Sequence, residues 1–183
     1  LTILLLSFIR YELSYEDFNP KKERIYRTVT KLRVSDSKTI QAPMSTSKVS
    51  DWVRNEVPEV GTILRMNNRA GDFTYNDEIF RKKIGFKADS TFFTFFNYEF
   101  EYGNQRDALK PNGIILSKQL ATTIFQGENP LGKTVKWNDD NYEVTGVFKP
   151  LPRNTHIEMD FLIPFSSMKS ADEYFTKTSG LSI

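Results

Sequence analysis

The first nine residues constrain this chain more than any other feature. Leu1-Thr2-Ile3-Leu4-Leu5-Leu6-Ser7-Phe8-Ile9 is apolar on every face of a helix. A helix lying on a globular core keeps one polar side, whereas one that is apolar all round must be surrounded. Such a run rises about 14 Å, half of the ~30 Å hydrocarbon core of a bilayer. It has neither the basic leader nor the small-residue cleavage site of a secretory signal. It ends at Arg10-Tyr11, a pair suited to a membrane interface. We therefore expect the last half of a membrane helix, with a buried core helix as the alternative. The basic stretch Lys21-Lys22-Glu23-Arg24 runs mildly against the positive-inside rule if this side lies outside.

The remainder must fold. The chain has 183 residues, close to one domain, and 14% of them are aromatic, including 15 Phe and 8 Tyr. That is too much apolar surface for a disordered segment. The net charge of +2, with Lys and Arg scattered, lacks the basic stripe of a nucleic-acid binder. With no cysteine, disulfides, thiolate metal sites and cysteine nucleophiles are excluded.

Periodicity gives a helical pattern from Arg10 to Phe18, ended by Asn19-Pro20. A strand is expected from Ile25 to Val34, then a turn at Asp36-Ser37-Lys38. Ser45 or Thr46 is placed to cap a helix carrying Val49, Trp52, Val53 and Val57 on one face and stopped by Pro58. Residues 62–86 read as a set of hairpins broken at Asn67-Asn68, Gly71 and Asn76-Asp77. Asp89-Ser90 opens a helix at Phe92. Asn112–Leu116 reads as a strand, and Ser117 caps a helix from Lys118 to Phe125 that buries Leu120, Ala121 and Ile124. Thr134–Trp137 and Tyr142–Phe148 form strands around Asn138-Asp139-Asp140-Asn141. Lys149-Pro150-Leu151-Pro152 is a bend, and the alternation from His156 to Phe161 predicts a half-buried strand. Hairpin-like groups with few helices point to an α+β fold.

Each candidate for chemistry has a structural reading that we prefer. Gly127-Glu128-Asn129-Pro130-Leu131-Gly132-Lys133-Thr134 fits the phosphate-loop pattern, but a helix precedes it and a strand follows. A phosphate loop needs the reverse order, so that a helix N-terminus meets the phosphate. We expect a helix C-cap at Gly127 and a tight turn at Gly132. His156, the sole histidine, cannot make a metal site alone and has no nucleophile elbow to serve. Asp139-Asp140 sits at a hairpin tip, where water would hold both carboxylates alike. The Phe-rich stretch Thr91–Phe100 is expected to be core, with an apolar groove as its functional alternative. No catalytic, cofactor-binding or metal-binding residue is assigned, no cofactor is expected, and the chain reads as not an enzyme.

Three segments together carry a resemblance. Ile9–Phe18 followed by Glu23–Arg27 resembles the exit from the first membrane helix of FtsX-type ABC transporter permeases. Ile115–Phe125 with Asn129–Thr134 is similar to the helix-turn-strand of the MacB-like periplasmic core domain. Tyr142–Phe148, Leu151-Pro152 and His156–Phe165 continue it. The resemblance implies an α+β core of two subdomains, one inserted in the other, between the first two membrane helices. The division is then 1–18 for the helix end and stalk, 19–165 for the core domain, and 166–183 for the start of an incomplete return segment. It further implies a domain on the outer side of the cytoplasmic membrane, in a permease dimer formed with a second copy or a paralogue. A cytoplasmic ABC ATPase drives that dimer, and a periplasmic adaptor or lipoprotein is a further partner. ATP-driven change would pass through the membrane to promote export, efflux or lipoprotein release. A ligand-sensing domain tethered to a signalling protein is the alternative, and a hydrolase a third, disfavoured class.

Overall fold

The computed structural model describes residues 2–15, 17–36, 38–42, 45, 47–150 and 154–167. Helix α1 (Thr2–Leu13) leads the chain, and each of its residues is exposed. A short 3-10 turn at Lys22–Arg24 leads to strands β1 (Thr30–Ser35) and β2 (Lys38–Ala42), which pair as an antiparallel ribbon. Helix α2 (Ser47–Glu56) follows.

The body is a seven-stranded sheet. Its members are β3 (Met66–Tyr75), β4 (Glu78–Ala88), β5 (Phe100–Gly103), β6 (Gly113–Ser117), β7 (Thr134–Trp137), β8 (Asp140–Phe148) and β9 (Phe161–Pro164). Their order is β5-β8-β6-β9-β4-β3-β7, and β7 pairs again with β8. That last pairing closes six strands into a ring and leaves β5 as an extra strand on β8. Three short helices complete the body: α3 (Phe92–Phe95), α4 (Gln105–Ala108) and α5 (Lys118–Phe125).

Strand alternation splits the core in two. Ile114 and Leu116 of β6 and Phe161 and Ile163 of β9 pack with Phe73, Trp137 and the inner face of α5. Their neighbours Ile115 and Leu162 point the other way, onto Phe92, Phe96, Tyr98 and Phe148. A sheet buried on both faces explains why β6 and β9 are continuously apolar rather than alternating. Gly85 is required where β4 meets β9, because a Cβ there would stand 2.2 Å from the Phe161 carbonyl oxygen.

Several local signals act as expected. Ser117 Oγ accepts from Leu120 N–H at 3.1 Å and starts α5. Asn76 and Asp77 both take positive φ, the conformation of a two-residue turn between β3 and β4. Residues 66–88 are therefore one long hairpin and not a set of them. Gly71 and Asn67-Asn68 lie within β3, with a bulge next to Gly71.

Other expectations are corrected. Helix α1 stops at Leu13 instead of Phe18, because Asn154 and Asp17 N–H take the Ser14 carbonyl and turn the chain. The strand expected from Ile25 begins only at Thr30, where β2 supplies a partner. Residues 156–159 are not a strand, and β9 begins at Phe161 and is buried throughout. Asp140 and Asn141 belong to β8, so the β7–β8 turn is only Asn138-Asp139. On α2, Val49, Val53 and Val57 are half-buried while Trp52 is 60% exposed. Strands β2 and β5 and helix α4 carry no pattern strong enough to have been expected. Thr46, Leu151 and Pro152, and residues 168–183, lie outside the described residues.

Phe161 is fully buried between Phe73 and Trp137, with ring centroids 5.2 and 5.1 Å away. We predict that Phe161→Ala lowers unfolding free energy by about 3–5 kcal/mol in urea denaturation. A loss below about 1 kcal/mol would mean that the two halves of the sheet hold together without β9.

Candidate functional site

The described feature that most needs a surrounding is α1. Ile3, Leu4, Leu5, Leu6 and Phe8 are 56–79% exposed, and no residue of the helix is buried. Isolated exposed apolar residues are ordinary, but a helix exposed and apolar around its circumference marks a contact surface. Among the described residues, no helix is long and apolar enough to cross a membrane.

The chain leaving α1 is tightly held. Ser14 Oγ bonds back to the Tyr11 carbonyl at 2.7 Å. Asn154 Nδ2 donates to the Ser14 carbonyl and, at 3.0 Å, to its hydroxyl. Tyr15 lies against His156 at 4.6 Å between ring centroids and meets Tyr11 edge-on at 5.6 Å. Phe18 stacks on buried Tyr98 at 5.9 Å. Asn19, itself buried, donates to the Phe95 carbonyl at 2.9 Å and accepts from Lys21 N–H at 3.0 Å. Lys21 Nζ reaches the Thr94 carbonyl at 2.7 Å. A shallow cleft of about 190 Å³ lies here between Asn19-Pro20-Lys21 and Phe93, Thr94, Phe95 and Asn97.

The Phe-rich stretch is therefore mainly core. Phe92 and Phe96 are buried and Phe93, Phe95 and Phe100 half-buried, linked by ring contacts of 5.0–6.4 Å. Sequence reasoning expected these residues in the core, but it gave Asn19 only the part of ending a helix and Asn154 none. Their contacts span 76 and 140 residues, and no local spacing announces such a pair.

The other candidates fall apart geometrically. The phosphate-loop-like segment leaves α5 through Gln126, the left-handed C-cap, with Gly127 also at positive φ. Expecting the cap at Gly127 was thus one residue late. Gly132 makes the tight turn, with φ of 75° and its N–H on the Val144 carbonyl at 2.9 Å. Lys133 then enters β7 bonded to Glu128 and lying 5.2 Å over the Phe125 ring. A helix ends at this loop, so its carbonyl end and not its N–H end is presented. Asp139 is 98% exposed at the hairpin tip and does not converge with other carboxylates to form a site. His156 is exposed beside Tyr15, in irregular chain. Among the described residues, no cluster of His, Asp and Glu could hold a metal ion.

Electrostatics here are structural. Arg65 grips Asp89 through two bonds of 2.9 and 2.8 Å, and this pairing holds the guanidinium pKa above its ordinary value. Lys133 lowers Glu128 and is itself raised by it, and Lys149 and Glu99 do the same to each other.

A ring-forming α+β body carrying an exposed apolar helix defines the class to which this chain belongs. Solved structures share that fold. A domain assigned to a permease protein of Porphyromonas gingivalis matches with TM-score 0.64 and 22% identity, over 78% of this chain and 62% of that one. The periplasmic region of MacB from Actinobacillus actinomycetemcomitans matches at 0.56 and 17%, over 76% and 62%. The extracellular domain of the noncanonic ABC-type transporter YknZ from Gram-positive bacteria matches at 0.56 and 18%, over 76% and 70%. No curated protein matches the sequence. The chain spans less than two thirds of the first two of these structures.

Residues 1–181 match the MacB-like periplasmic core domain, and the chain belongs to that family. The three segments from which the resemblance was read all fall within this match.

Two outcomes test these assignments. Mg-ATP should leave the thermal midpoint unchanged in both the wild type and Lys133→Ala; a saturable increase lost in the variant would restore the phosphate loop. Acidification should remove a small stabilisation from Glu99 and Glu128. Both carboxyls are depressed in the fold, so their contribution is present above the ordinary glutamate range and is lost as pH falls through the folded values. Glu128→Gln/Glu99→Gln should flatten that acid limb, and about 1 M salt should erase the difference.

Proposed function

We propose that this chain is the extracytoplasmic part of an ABC transporter permease subunit, converting ATP-driven motion of a membrane helix into motion outside the membrane. The observation that carries this reading is α1, apolar all round as far as Ile9 and exposed at every residue, joined by a bonded segment to a body of the MacB-like family. An apolar rod in water costs about 25 cal/mol per Å² of exposed apolar surface, and lipid removes that cost. Residues 1–18 form the helix end and stalk, 19–165 the core domain of two subdomains, and 166–183 the start of the return segment. The ribbon β1–β2 with α2 and the seven-stranded sheet are the natural candidates for those subdomains.

The partners follow from the class. A cytoplasmic ABC ATPase closes on nucleotide, a second permease copy or paralogue completes the dimer, and a periplasmic adaptor or lipoprotein receives the movement. The domain performs no chemistry itself. Its task would be mechanical, in export, efflux or lipoprotein release.

The test uses the whole permease with its ATPase in native membranes. A cysteine introduced as Asp139→Cys stands at the exposed hairpin tip, in a chain segment free of native cysteine. A membrane-impermeant maleimide should label it from outside in intact cells. Spin labels there should give a copy-to-copy distance that shifts when nucleotide is trapped with vanadate. Labelling only after lysis, or a distance that nucleotide does not move, overturns the reading; the latter with a ligand-induced shift would instead indicate a sensor domain.

A further inference from the structure

We infer that Ser14, Tyr15 and residues 17–21, held by residues 154–160 ahead of β9, form a rigid joint that delivers movement of α1 to the seven-stranded sheet and not to the β1–β2 ribbon. This rests on the permease reading above, and it adds which part of the domain is driven and by which side chains.

Four residues of the joint are attached to the body of the domain. Ser14 is held by Asn154, Tyr15 by His156, Phe18 by Tyr98, and Asn19 by the Phe95 carbonyl. Residues 14–21 contain no glycine. A hinge would instead show exposed backbone, few packed contacts and freedom to absorb dihedral change.

The receiving side is anchored in the sheet. Thr155 and Met159 are buried beside the joint. Asp160 N–H donates to the Ile84 carbonyl at 2.7 Å, and its carboxylate accepts from Ile84 N–H at 3.0 Å. The Asp160 carbonyl accepts from Ser117 N–H at 2.7 Å. Displacement of Ser14 therefore reaches β4, β6 and β9 through hydrogen bonds and packed groups.

The route to the ribbon is slack by comparison. Past the 3-10 turn, residues 25–29 lie in no helix or strand, and Tyr26 and Val29 are 86% and 52% exposed. A pull on α1 meets the stiff path first.

The test again uses the full permease with its ATPase in lipid, with spin labels introduced by Leu6→Cys on α1 and Gln119→Cys on the exposed side of α5. The expected wild-type distance distribution is narrow and keeps its mean when nucleotide is trapped. Asn19→Asp/Asn154→Asp preserves size while removing the amide donors to the Phe95 and Ser14 carbonyls; it should widen the distribution roughly twofold. Phe18→Ala should do the same by a separate contact, with a retained cooperative thermal transition, at a lowered midpoint, certifying the fold in each variant. A broad wild-type distribution, or one indifferent to all these substitutions, overturns the joint even if nucleotide still moves the Asp139→Cys labels. If the distribution behaves as expected but nucleotide moves nothing outside the membrane, the permease reading fails and with it the driving role of the joint.

Discussion

The architecture depends on β9. This strand runs antiparallel to β6 and parallel to β4, and so joins the hairpin of residues 66–88 to the unit of residues 113–148. Among the described residues, the other ladder between these units is the two-residue pairing of β3 with β7, extended by Asn138 N–H on the Asp72 carbonyl and by Tyr75 against Phe125. All four β9 residues are buried, and Phe161, Leu162 and Ile163 alternate between the two halves of the core. The apolar burial of Phe161, Leu162 and Ile163 contributes roughly 1.5–3 kcal/mol per side chain. It therefore supplies a large share of the contact between sequence-distant parts of the domain.

The same strand explains why the helix exit is built as it is. The segment that leads into β9 packs Ile157 and Met159 against the Phe-rich cluster and holds Asn154 on Ser14. Residues leaving α1 meet this segment on one side and the α3 region on the other. Buried Asn19 is tolerated because both ends of its amide are bonded, as a buried polar group requires. The outcome is a helix with no buried residue that is nevertheless continuous with the most buried part of the molecule.

Much of this was legible in the sequence because the signals were local. Ser117 announced α5, the apolar run at 113–116 announced β6, and the order helix–loop–strand at 118–137 ruled against a phosphate loop. The Asn76-Asp77 turn was legible too, although Gly71 beside a bulge was mistaken for another break. What failed was non-local. The alternation of residues 156–161 imitates a strand, but those residues gain no ladder partner until Phe161. Residues 25–29 have strand-forming composition and stop short for the same reason. The joint was invisible because a side-chain amide from Asn154 selects the carbonyl of Ser14 only after the fold brings them together. Family resemblance placed the core domain, but not these contacts.

On the proposed joint, the stalk moves with the sheet. Hydrogen–deuterium exchange on the full permease and its ATPase in lipid, with and without trapped nucleotide, reads this residue by residue. The bonded amides of Ser14, Asp17 and Asp160 should remain protected together in both states, while those of exposed Tyr26 and Val29 exchange quickly. Loss of protection at the stalk on nucleotide binding, with the 154–160 segment unaffected, would contradict it.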